Sequence, residues 1–250
     1  MSTLAAVLIV RNEAARLREC LESVRWADEI VVVDTGSTDE TMAIAREFTP
    51  KVSSAPFSGF GPLKNHALGL ATADWILSID ADERVTPELR REIEAAIARG
   101  EHAGYFVPRL SHLCGRPMRH GGWWPDYVAR LVRRGRGRFT DQPVHEELRI
   151  EGSAGRLSAP LLHLAYDDFE QVIDKLNRYS TLAAEKMHRA GRRAGVLTAL
   201  AHGAWSFVRT YLLQLGLLDG RRGLVLAVLN AEHSYYRYVK LWRLRERERP

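Results

Sequence analysis

The sequence predicts an α/β fold in which a mostly parallel sheet is flanked by helices and followed by a helical C-terminal extension. Short apolar runs alternate with amphipathic stretches from residue 4 to about residue 110, as strands and helices do in such folds. Beyond about residue 168 only helical periodicity remains. We therefore expect an α/β domain over residues 1–166 and a helical extension over residues 167–250.

Continuous apolar runs mark the strands of the first domain. Residues 4–10 form such a run, which is typical of a strand that is buried on both faces. Residues 29–33 form a second buried strand, a short third strand begins at Val52, and a fourth spans residues 75–79. Loops rich in Gly, Pro and Trp separate the later strands. Their predicted ranges are 105–110, 127–132 and 161–164.

Helix signals fill the intervals between the strands. Ser37-Thr38-Asp39-Glu40 has the form of a capping box and predicts the start of a helix that ends near residue 48. Thr86, Pro87 and Gly100 mark another helix as its N-cap, its first residue and its stop. The predicted helices span about residues 13–24, 37–48, 61–72, 87–99, 168–190, 196–217 and 223–243.

The composition is that of an ordinary globular protein, with 46% hydrophobic and 27% charged residues among 250. Two cysteines, Cys20 and Cys114, are too few for a disulfide framework or a structural zinc site, so we expect reduced thiols. The net charge of +5 is concentrated in clusters of arginine, which suit phosphates, anionic lipid headgroups or nucleic acid.

The strongest chemical signal is a pair of carboxylates that follows the strand over residues 75–79. Asp80 and Asp82 are two residues apart, so in an extended segment both point to the same side. Together they can hold a hard divalent cation, or one can hold the cation and the other a ribose hydroxyl. In open α/β sheets ligands bind at this end of the strands, which favours a binding site over a chance pair.

Further polar residues follow the first two strands. Asp34 ends the second strand, where its carboxylate can accept hydrogen bonds from a nucleobase or a ribose, or cap its own turn. Arg11 and Glu13 follow the first strand. Three strand ends with polar side chains are more than packing requires, so we expect a binding site at this edge.

Four segments, in this order and spacing, resemble the successive motifs of family 2 glycosyltransferases. The segments are Leu8-Ile9-Val10-Arg11-Asn12-Glu13, Val33-Asp34-Thr35-Gly36-Ser37-Thr38-Asp39, Lys64-Asn65-His66-Ala67-Leu68 and Asp80-Ala81-Asp82-Glu83. Over almost its whole length the chain resembles the lipopolysaccharide core β-1,4-glucosyltransferase branch, and the likeness includes Pro143-Val144-His145-Glu146 and Leu218-Asp219-Gly220. The resemblance implies the GT-A (Rossmann-like) form of the fold. It also implies inverting transfer of a hexose, glucose from UDP-glucose in this branch, to a lipopolysaccharide core or related lipid-linked saccharide.

The resemblance implies a UDP-sugar donor and a Mg²⁺ or Mn²⁺ ion, and assigns residues to both. Asp34 would lie near the base, Asp80 would face the ribose or the metal, and Asp82 would bind the metal. A late histidine often completes the metal site of GT-A enzymes, and His163 would take that place. The alternative for His163 is a core histidine whose hydrogen bonds are satisfied.

The resemblance also implies three residues near the nucleotide and a catalytic base. Arg11 and Glu13 would line the nucleotide pocket, and Lys64 would lie near the nucleotide unless it is a solvated lysine at a helix start. In inverting transfer one carboxylate accepts the proton of the attacking hydroxyl. Glu146 matches the acidic position of the family motif, and His145 is the rival base. An exposed acidic turn is the structural alternative.

A loop and two arginines are expected on the acceptor side. The loop 121–126 contains two tryptophans, whose rings can stack on sugars, although one of them can instead anchor the loop in the core. Asp126 can bind hydroxyl groups. Arg130 and Arg133 on the following strand are expected to face outward and to contact phosphates.

The C-terminal helices suggest contact with a membrane surface. The apolar stretch 197–218 contains Arg209, so we interpret it as an interfacial or packing helix rather than a span. A group of aromatic and basic residues near the C-terminus has the composition of a headgroup contact. Its members are Tyr235, Tyr236, Tyr238, Lys240, Trp242 and Arg243. The alternative is a helical hairpin that packs on the first domain or in a homo-oligomer.

The N-terminus lacks the features of a signal peptide, and no apolar run reaches the roughly 20 residues of a membrane span. We therefore expect a cytoplasmic protein, peripheral at the inner face of the cytoplasmic membrane.

Two other functions stay open at this point. A sugar-phosphate nucleotidyltransferase should have a Gly-rich basic loop after the first strand, but residues 11–15 contain no glycine. A non-catalytic protein that binds membranes or nucleic acid through its basic clusters leaves the acids at the strand ends unexplained. We expect a saccharide acceptor and no nucleic-acid partner.

Overall fold

The computed structural model describes residues 2–141, 146–166 and 169–247. The chain divides into two compact units, which comprise Met1–Arg109 with Asp126–His163, and Leu110–Pro125 with Leu164–Pro250. The predicted boundary at residue 166 stays a prediction. The structure adds that the segment 110–125, predicted to be part of the first domain, belongs to the same unit as the C-terminal helices.

The strands form one main sheet and one small hairpin. They are β1 (Leu4–Val10), β2 (Glu29–Asp34), β3 (Val52–Ser54), β4 (Trp75–Ser78), β5 (Glu83–Val85), β6 (Gly104–Leu113), β7 (Arg116–Pro117), β8 (Asp126–Arg133), β9 (Gly137–Phe139), β10 (Leu148–Ile150), β11 (Ala154–Arg156) and β12 (Leu161–Tyr166). The main sheet has the order β3-β2-β1-β4-β8-β6-β12-β5, and β9 pairs with β10. The strands β3, β2, β1 and β4 are parallel, whereas β8 is antiparallel to both of its neighbours.

Helices follow the strands in the predicted alternation, which confirms the predicted fold class. They are α1 (Ala14–Ser23), α2 (Thr41–Phe48), α3 (Phe60–Leu70), α4 (Pro87–Arg99), α5 (Phe169–Arg189), α6 (Val196–Val208) and α7 (Gly220–Glu246). A π-helical turn (Arg209–Leu213) and a 3₁₀ turn (Gly216–Asp219) separate α6 from α7. The predicted helix over residues 196–217 is therefore interrupted before its end.

The central strand β1 is apolar at every position because helices cover both of its faces. Leu4, Leu8 and Val10 belong to one apolar cluster, which includes residues of α1 and α4. Ala5 and Val7 belong to a second cluster, which includes residues of α3. Burial on both faces removes the alternation of polar and apolar residues that a half-exposed strand would show.

The two predicted helix starts have different outcomes. At α4 the prediction is confirmed, since Thr86 Oγ1 accepts a hydrogen bond from Leu89 N at 3.1 Å and Gly100 ends the helix at φ 62°. The capping box at residues 37–40 is wrong, because α2 begins only at Thr41 and its N-cap makes no side-chain hydrogen bond. The hydroxyl of Ser37 instead donates to the carboxylate of Asp34.

In the second unit α7 packs against both α5 and α6. The ammonium group of Lys240 lies within hydrogen-bonding distance, 2.7–2.8 Å, of four oxygen atoms of α5, which belong to Asn177 (backbone and side chain), Ser180 and Thr181. The Lys240 ammonium is therefore used within the bundle, and the headgroup contact predicted for the group around it stays a prediction. Within the residues that the structure describes, no helix combines the length and the apolar character that crossing a bilayer requires.

Two glycines of α3 provide a matched test of the packing between α3 and the β9 region. A Cβ atom at Gly61 would lie 2.1 Å from Thr140 O, whereas one at Gly69 would meet nothing within 4 Å. Gly61→Ala should lower the free energy of unfolding by about 1–3 kcal/mol, because the backbone must shift. Gly69→Ala should leave it unchanged or raise it by up to about 1 kcal/mol. Urea unfolding of both variants measures the difference, and equal effects would contradict this packing.

Candidate functional site

The carboxyl ends of three parallel strands meet at one edge of the sheet. In the register of β1 with β2, Val10 lies opposite Asp34, and in the register of β1 with β4, Val7 lies opposite Ser78. The strand β4 is followed directly by Ile79, whose N–H donates to Val7 O at 3.1 Å, and then by Asp80. The predicted clustering of acids at this edge is therefore present in the fold.

Asp80 is held between two cations. Its Oδ1 lies 3.0 Å from Lys64 Nζ, and its Oδ2 lies 2.5 Å from Arg130 Nη2. Burial alone would raise the pKa of Asp80, but the positive charges of Arg130 and Lys64 hold this pKa well below its usual range. The Asp80 side chain is still 32% exposed. It is therefore ionised and within reach of a ligand.

Arg130 also neutralises a second, fully buried carboxylate. Its Nη2 lies 2.5 Å from Glu83 Oε1, and Glu83 Oε2 accepts a hydrogen bond from the backbone N–H of Asp80 at 3.0 Å. Burial raises the pKa of Glu83, Arg130 lowers it and Asp80 raises it, with a net increase. Arg130 therefore fixes both the side chain of Asp80 and the start of the turn that contains it.

The predicted outward orientation of Arg130 is wrong. Strand β8 lies between β4 and β6, and residues 130–132 are all buried, so this part of the strand has no solvent-facing side. Arg133 does lie at the surface, where it donates to Gly100 O and contacts the ring of Trp75. Arg130 is buried because it compensates the charge of Glu83, a carboxylate in a buried strand.

The turn between Asp80 and Glu83 is fixed by further bonds that the sequence did not reveal. Glu83 N donates to Asp80 O at 2.9 Å. The buried guanidinium of Arg84 donates to Ala81 O at 2.8 Å. These bonds leave the backbone between the two acids little freedom, so the positions of Asp80 and Asp82 are set before any ligand binds.

Lys64 connects Asp80 to the predicted base. Its Nζ lies 3.1 Å from Glu146 Oε1, and it also lies 5.2 Å from the centre of the Phe139 ring. The side chain is buried, so the alternative of a solvated lysine is wrong. Asn65, the next residue of α3, exchanges two hydrogen bonds with the backbone of Phe139. This clamp holds the amino end of α3 against β9 and thereby positions Lys64.

The hairpin of β9 and β10 positions Glu146. Thr140 N donates to Glu147 O at 3.0 Å, and Glu147 N donates to Thr140 Oγ1 at 3.1 Å. Glu146 is half-buried against Lys64, whereas Glu147 is exposed. Only Glu146 of these two carboxylates is thus directed to the cluster. The rival base His145 lies outside the described residues.

Asp82 and His163 lie next to each other, as the predicted metal ligands should. Asp82 Oδ2 is 3.4 Å from His163 Nε2, and both side chains are partly exposed. The antiparallel pairing of β12 with β5 places His163 opposite Glu83, one residue after Asp82. One carboxylate oxygen and one imidazole nitrogen suit Mn²⁺ or Mg²⁺ as part of a coordination shell. Among the described residues no cluster of three or more His, Cys, Asp or Glu could hold a metal ion.

Asp34 closes its own turn, the alternative that the sequence left open. It is buried, and its carboxylate accepts hydrogen bonds from Gly36 N, Ser37 N and Ser37 Oγ. Asn12, which has φ 54°, accepts a hydrogen bond from Thr38 N at 2.8 Å and so links this turn to the loop after β1. A contact between Asp34 and a nucleotide stays a prediction.

Arg11 and Glu13 lie on either side of Asn12 in the loop after β1, where Arg11 is exposed and Glu13 half-buried. The loop is fixed to the start of α2 by Glu13 N, which donates to Thr41 Oγ1 at 2.8 Å. Both residues therefore follow the same strand end as predicted, and their contacts with a nucleotide stay predictions.

In the loop predicted to meet the acceptor, Trp123 packs in an apolar cluster and Asp126 forms an ion pair. Trp123 packs beside Tyr166 against a small apolar cluster of the second unit, as one alternative required. In the first unit Arg109 donates two hydrogen bonds to Asp126 Oδ2, at 3.0 and 2.6 Å. Asp126 is thus already ion-paired, and its role toward an acceptor stays a prediction.

The bridge at Arg130 can be tested by a double-mutant cycle. Arg130→Met leaves Glu83 buried without its main cation, so the free energy of unfolding should fall by about 3–5 kcal/mol. Adding Glu83→Gln should recover at least about 1 kcal/mol, because the second change removes the unpaired charge. Guanidinium unfolding of the two single variants and the double variant measures the coupling. Additive effects would mean that the two side chains do not interact.

Comparison with known proteins identifies the family of this chain. The model of "Glycosyl transferase family 2" matches residues 5–149. The lipopolysaccharide core biosynthesis glycosyltransferase LpsC of Rhizobium meliloti is 33% identical, and the match covers 94% of this chain and 93% of that protein. An uncharacterized glycosyltransferase of Rickettsia felis is 29% identical, and the match covers 98% and 90%. Among solved structures, residues 1–349 of S. aureus TarS match over 98% of this chain and 92% of that one, with 14% identity and a TM-score of 0.49.

The family model spans more than half of the chain and includes the strand ends and the Asp80–Glu146 cluster. The relative from Rhizobium meliloti matches almost end to end. The chain therefore belongs to the family 2 glycosyltransferases and has their GT-A fold.

Proposed function

We propose that this glycosyltransferase moves a hexose, glucose from UDP-glucose in the simplest case, to a lipopolysaccharide core or related lipid-linked saccharide with inversion at the anomeric carbon. The observation that supports it best is that Lys64 contacts both Asp80 and Glu146. The carboxylate of Glu146 is thereby held near the turn that contains Asp80. The name of the 33% identical relative, a lipopolysaccharide core biosynthesis glycosyltransferase, supports this class of acceptor. Family membership favours transfer over the nucleotidyltransferase and non-catalytic hypotheses.

Glu146 is the proposed base. The acceptor oxygen forms a bond to the anomeric carbon while the bond from that carbon to the diphosphate breaks, and the diphosphate leaves with the electron pair. The hydroxyl proton passes to the carboxylate of Glu146. Lys64 lies 3.1 Å from Oε1 of Glu146, so it orients this carboxylate and supplies positive charge beside it.

Asp82 and His163 are the proposed metal ligands of the chain. A Mg²⁺ or Mn²⁺ ion held there would supply Lewis-acid stabilisation of the leaving diphosphate. Asp80 is already paired with both Lys64 and Arg130, which suits it better to a ribose hydroxyl than to direct ligation of the metal. The chain's own task is then to hold the donor in one orientation and to exclude other nucleophiles.

A thermal-shift panel tests the donor and the metal together. Wild-type protein should melt at a higher temperature with a uridine diphosphate sugar plus Mn²⁺ or Mg²⁺ than with either alone, because such ligands bind only the folded state. Asp82→Asn should lose the metal-dependent part of this shift. Glu88→Gln, at the exposed start of α4, is the control and should keep it. An undiminished shift in Asp82→Asn would contradict the assigned role.

A pair of neighbouring substitutions tests the base. Glu146→Gln should lower kcat by about 10²–10⁴-fold, the range of general base catalysis, while the affinity for the donor changes little. Glu147→Gln, one residue away and exposed, should keep its activity. Transfer is measured as release of nucleoside diphosphate in the presence of acceptor, and donor affinity by calorimetry. Similar losses in both variants would indicate disruption of the hairpin rather than loss of a base.

A further inference from the structure

In the second unit, helix α6 buries small residues and exposes large apolar ones, which is the reverse of the usual arrangement in a water-soluble protein. On α6 and the π-helical turn after it, small residues face the bundle: Ala199, Gly203, Ser206 and Thr210 are buried. Gly203 lies where a Cβ would come within 3.3 Å of Tyr235, and Ser206 Oγ donates to Asn230 O at 3.1 Å. The helix thus approaches α7 through small and weakly polar groups, which is how helices pack where the surroundings are apolar.

The opposite side of this segment is apolar and exposed. We call it the outer face of α6, and it consists of Leu197, Leu200, Trp205, Val208, Leu212 and Leu213. Leu197 is 81% exposed, Leu213 63% and Trp205 57%. Apart from the adjacent pair Leu212 and Leu213, successive members are three to five residues apart, which keeps most of these side chains on one side of the helix. A run of large apolar side chains this exposed is unusual on a protein surface that contacts only water.

The apolar surface continues into the connection and the next helix. Leu217 and Leu218 of the 3₁₀ turn are exposed, as are Leu224 and Val225 in the first turns of α7. The connection between the two helices is short, so these side chains extend the apolar surface at that end of the hairpin. The surface is therefore larger than one helical stripe.

The charged residues within the segment 190–231 are nearly all positive. Residues 190–231 contain five arginines and a single acid, Asp219. Asp219 is largely buried and accepts hydrogen bonds from the backbone and ring of His120, so it adds little negative charge at the surface. Arg209, Arg221 and Arg222 are exposed beside the apolar residues. An apolar face bordered by arginines matches an anionic lipid surface, where the apolar residues enter the acyl boundary and the arginines meet headgroups.

We infer that the outer face of α6, together with Arg221 and Arg222, is a docking surface for an anionic lipid bilayer. A second copy of the chain is the less suitable occupant, because it would bring the same arginines against one another. This location differs from the group around Lys240, whose ammonium is used by α5. The inference concerns the second unit alone and does not depend on the proposed donor, acceptor or base.

Vesicle binding tests the inference directly. Wild-type protein should co-sediment with vesicles of equal parts phosphatidylglycerol and phosphatidylcholine, and at least tenfold more weakly with phosphatidylcholine alone. Leu197→Glu with Leu213→Glu should weaken binding to the anionic vesicles at least tenfold. The matched control is Ile173→Glu with Leu182→Glu, two exposed apolar residues of α5, and it should bind as wild type does. Circular dichroism melting verifies that both variants are folded.

A second pair of variants tests the charge. Arg221→Gln with Arg222→Gln should bind anionic vesicles roughly 25-fold more weakly, since each basic residue near such a surface contributes about 1 kcal/mol, or about fivefold. Arg178→Gln with Lys186→Gln, exposed on α5, should change binding far less. Tryptophan fluorescence should shift to the blue on binding, and Trp205→Phe should remove most of that shift.

Three results would overturn the inference. The first is wild-type protein that fails to bind the anionic vesicles at low salt. The second is binding that Leu197→Glu with Leu213→Glu does not weaken. The third is a wild-type dimer that these two substitutions convert to a monomer, with no lipid binding by either form, because the occupant would then be a second copy.

Discussion

One buried guanidinium determines the geometry of the site. Arg130 reaches both Asp80 and Glu83, and Glu83 in turn accepts the backbone N–H of Asp80. Two carboxylates this close would repel each other in a buried environment, and the one with the higher pKa would take up a proton. The guanidinium of Arg130, which contacts both, keeps Asp80 ionised and fixes the orientation of its side chain. The strand order makes this contact possible, because β8 lies beside β4 and brings Arg130 to the turn.

A second cation extends this arrangement to the reacting side. Lys64 shares Asp80 with Arg130 and contacts Glu146, so the proposed base is connected to the turn through one ammonium group. Long flexible side chains lose conformational freedom when they are ordered in this way. Here packing supplies the order, since Lys64 is buried above Phe139 and its neighbour Asn65 is bonded to the same strand. The carboxylates are thus positioned by the fold rather than by a ligand, which is the preorganisation that electrostatic catalysis needs.

The sequence predicted those features that depend on neighbours along the chain. The four parallel strands follow from hydrophobic periodicity, and the helix that begins at Pro87 follows from local capping. Arg130 and Glu83 could not be paired in this way, because they are 47 residues apart. Their contact depends on the antiparallel addition of β8 to β4, which no local pattern encodes. Strand β5 was missed since Glu83 and Arg84 resemble a polar turn, although the pairing with β12 buries all three of its residues.

The capping box failed for a related reason. Ser37 has the sequence position of an N-cap, yet its hydroxyl donates to Asp34 and accepts from Asn12 N, so two loops compete with the helix for the same group. Local signals of this kind are overridden where a site gathers polar groups from several strands, since tertiary partners offer stronger bonds than the helix does.

The two units depart from the usual distribution of residues in opposite ways. The first buries charged side chains in ion pairs: Arg130 pairs with Asp80 and Glu83, and Lys64 pairs with Asp80 and Glu146. The second exposes leucine, valine and tryptophan along α6 and keeps small residues inside. Buried ions persist only where partners compensate their desolvation. By the same reasoning, large apolar side chains remain exposed only where another surface removes them from water. The charge pattern of residues 190–231 then distinguishes among such surfaces, because five arginines and one buried aspartate attract an anionic layer and repel their own copy.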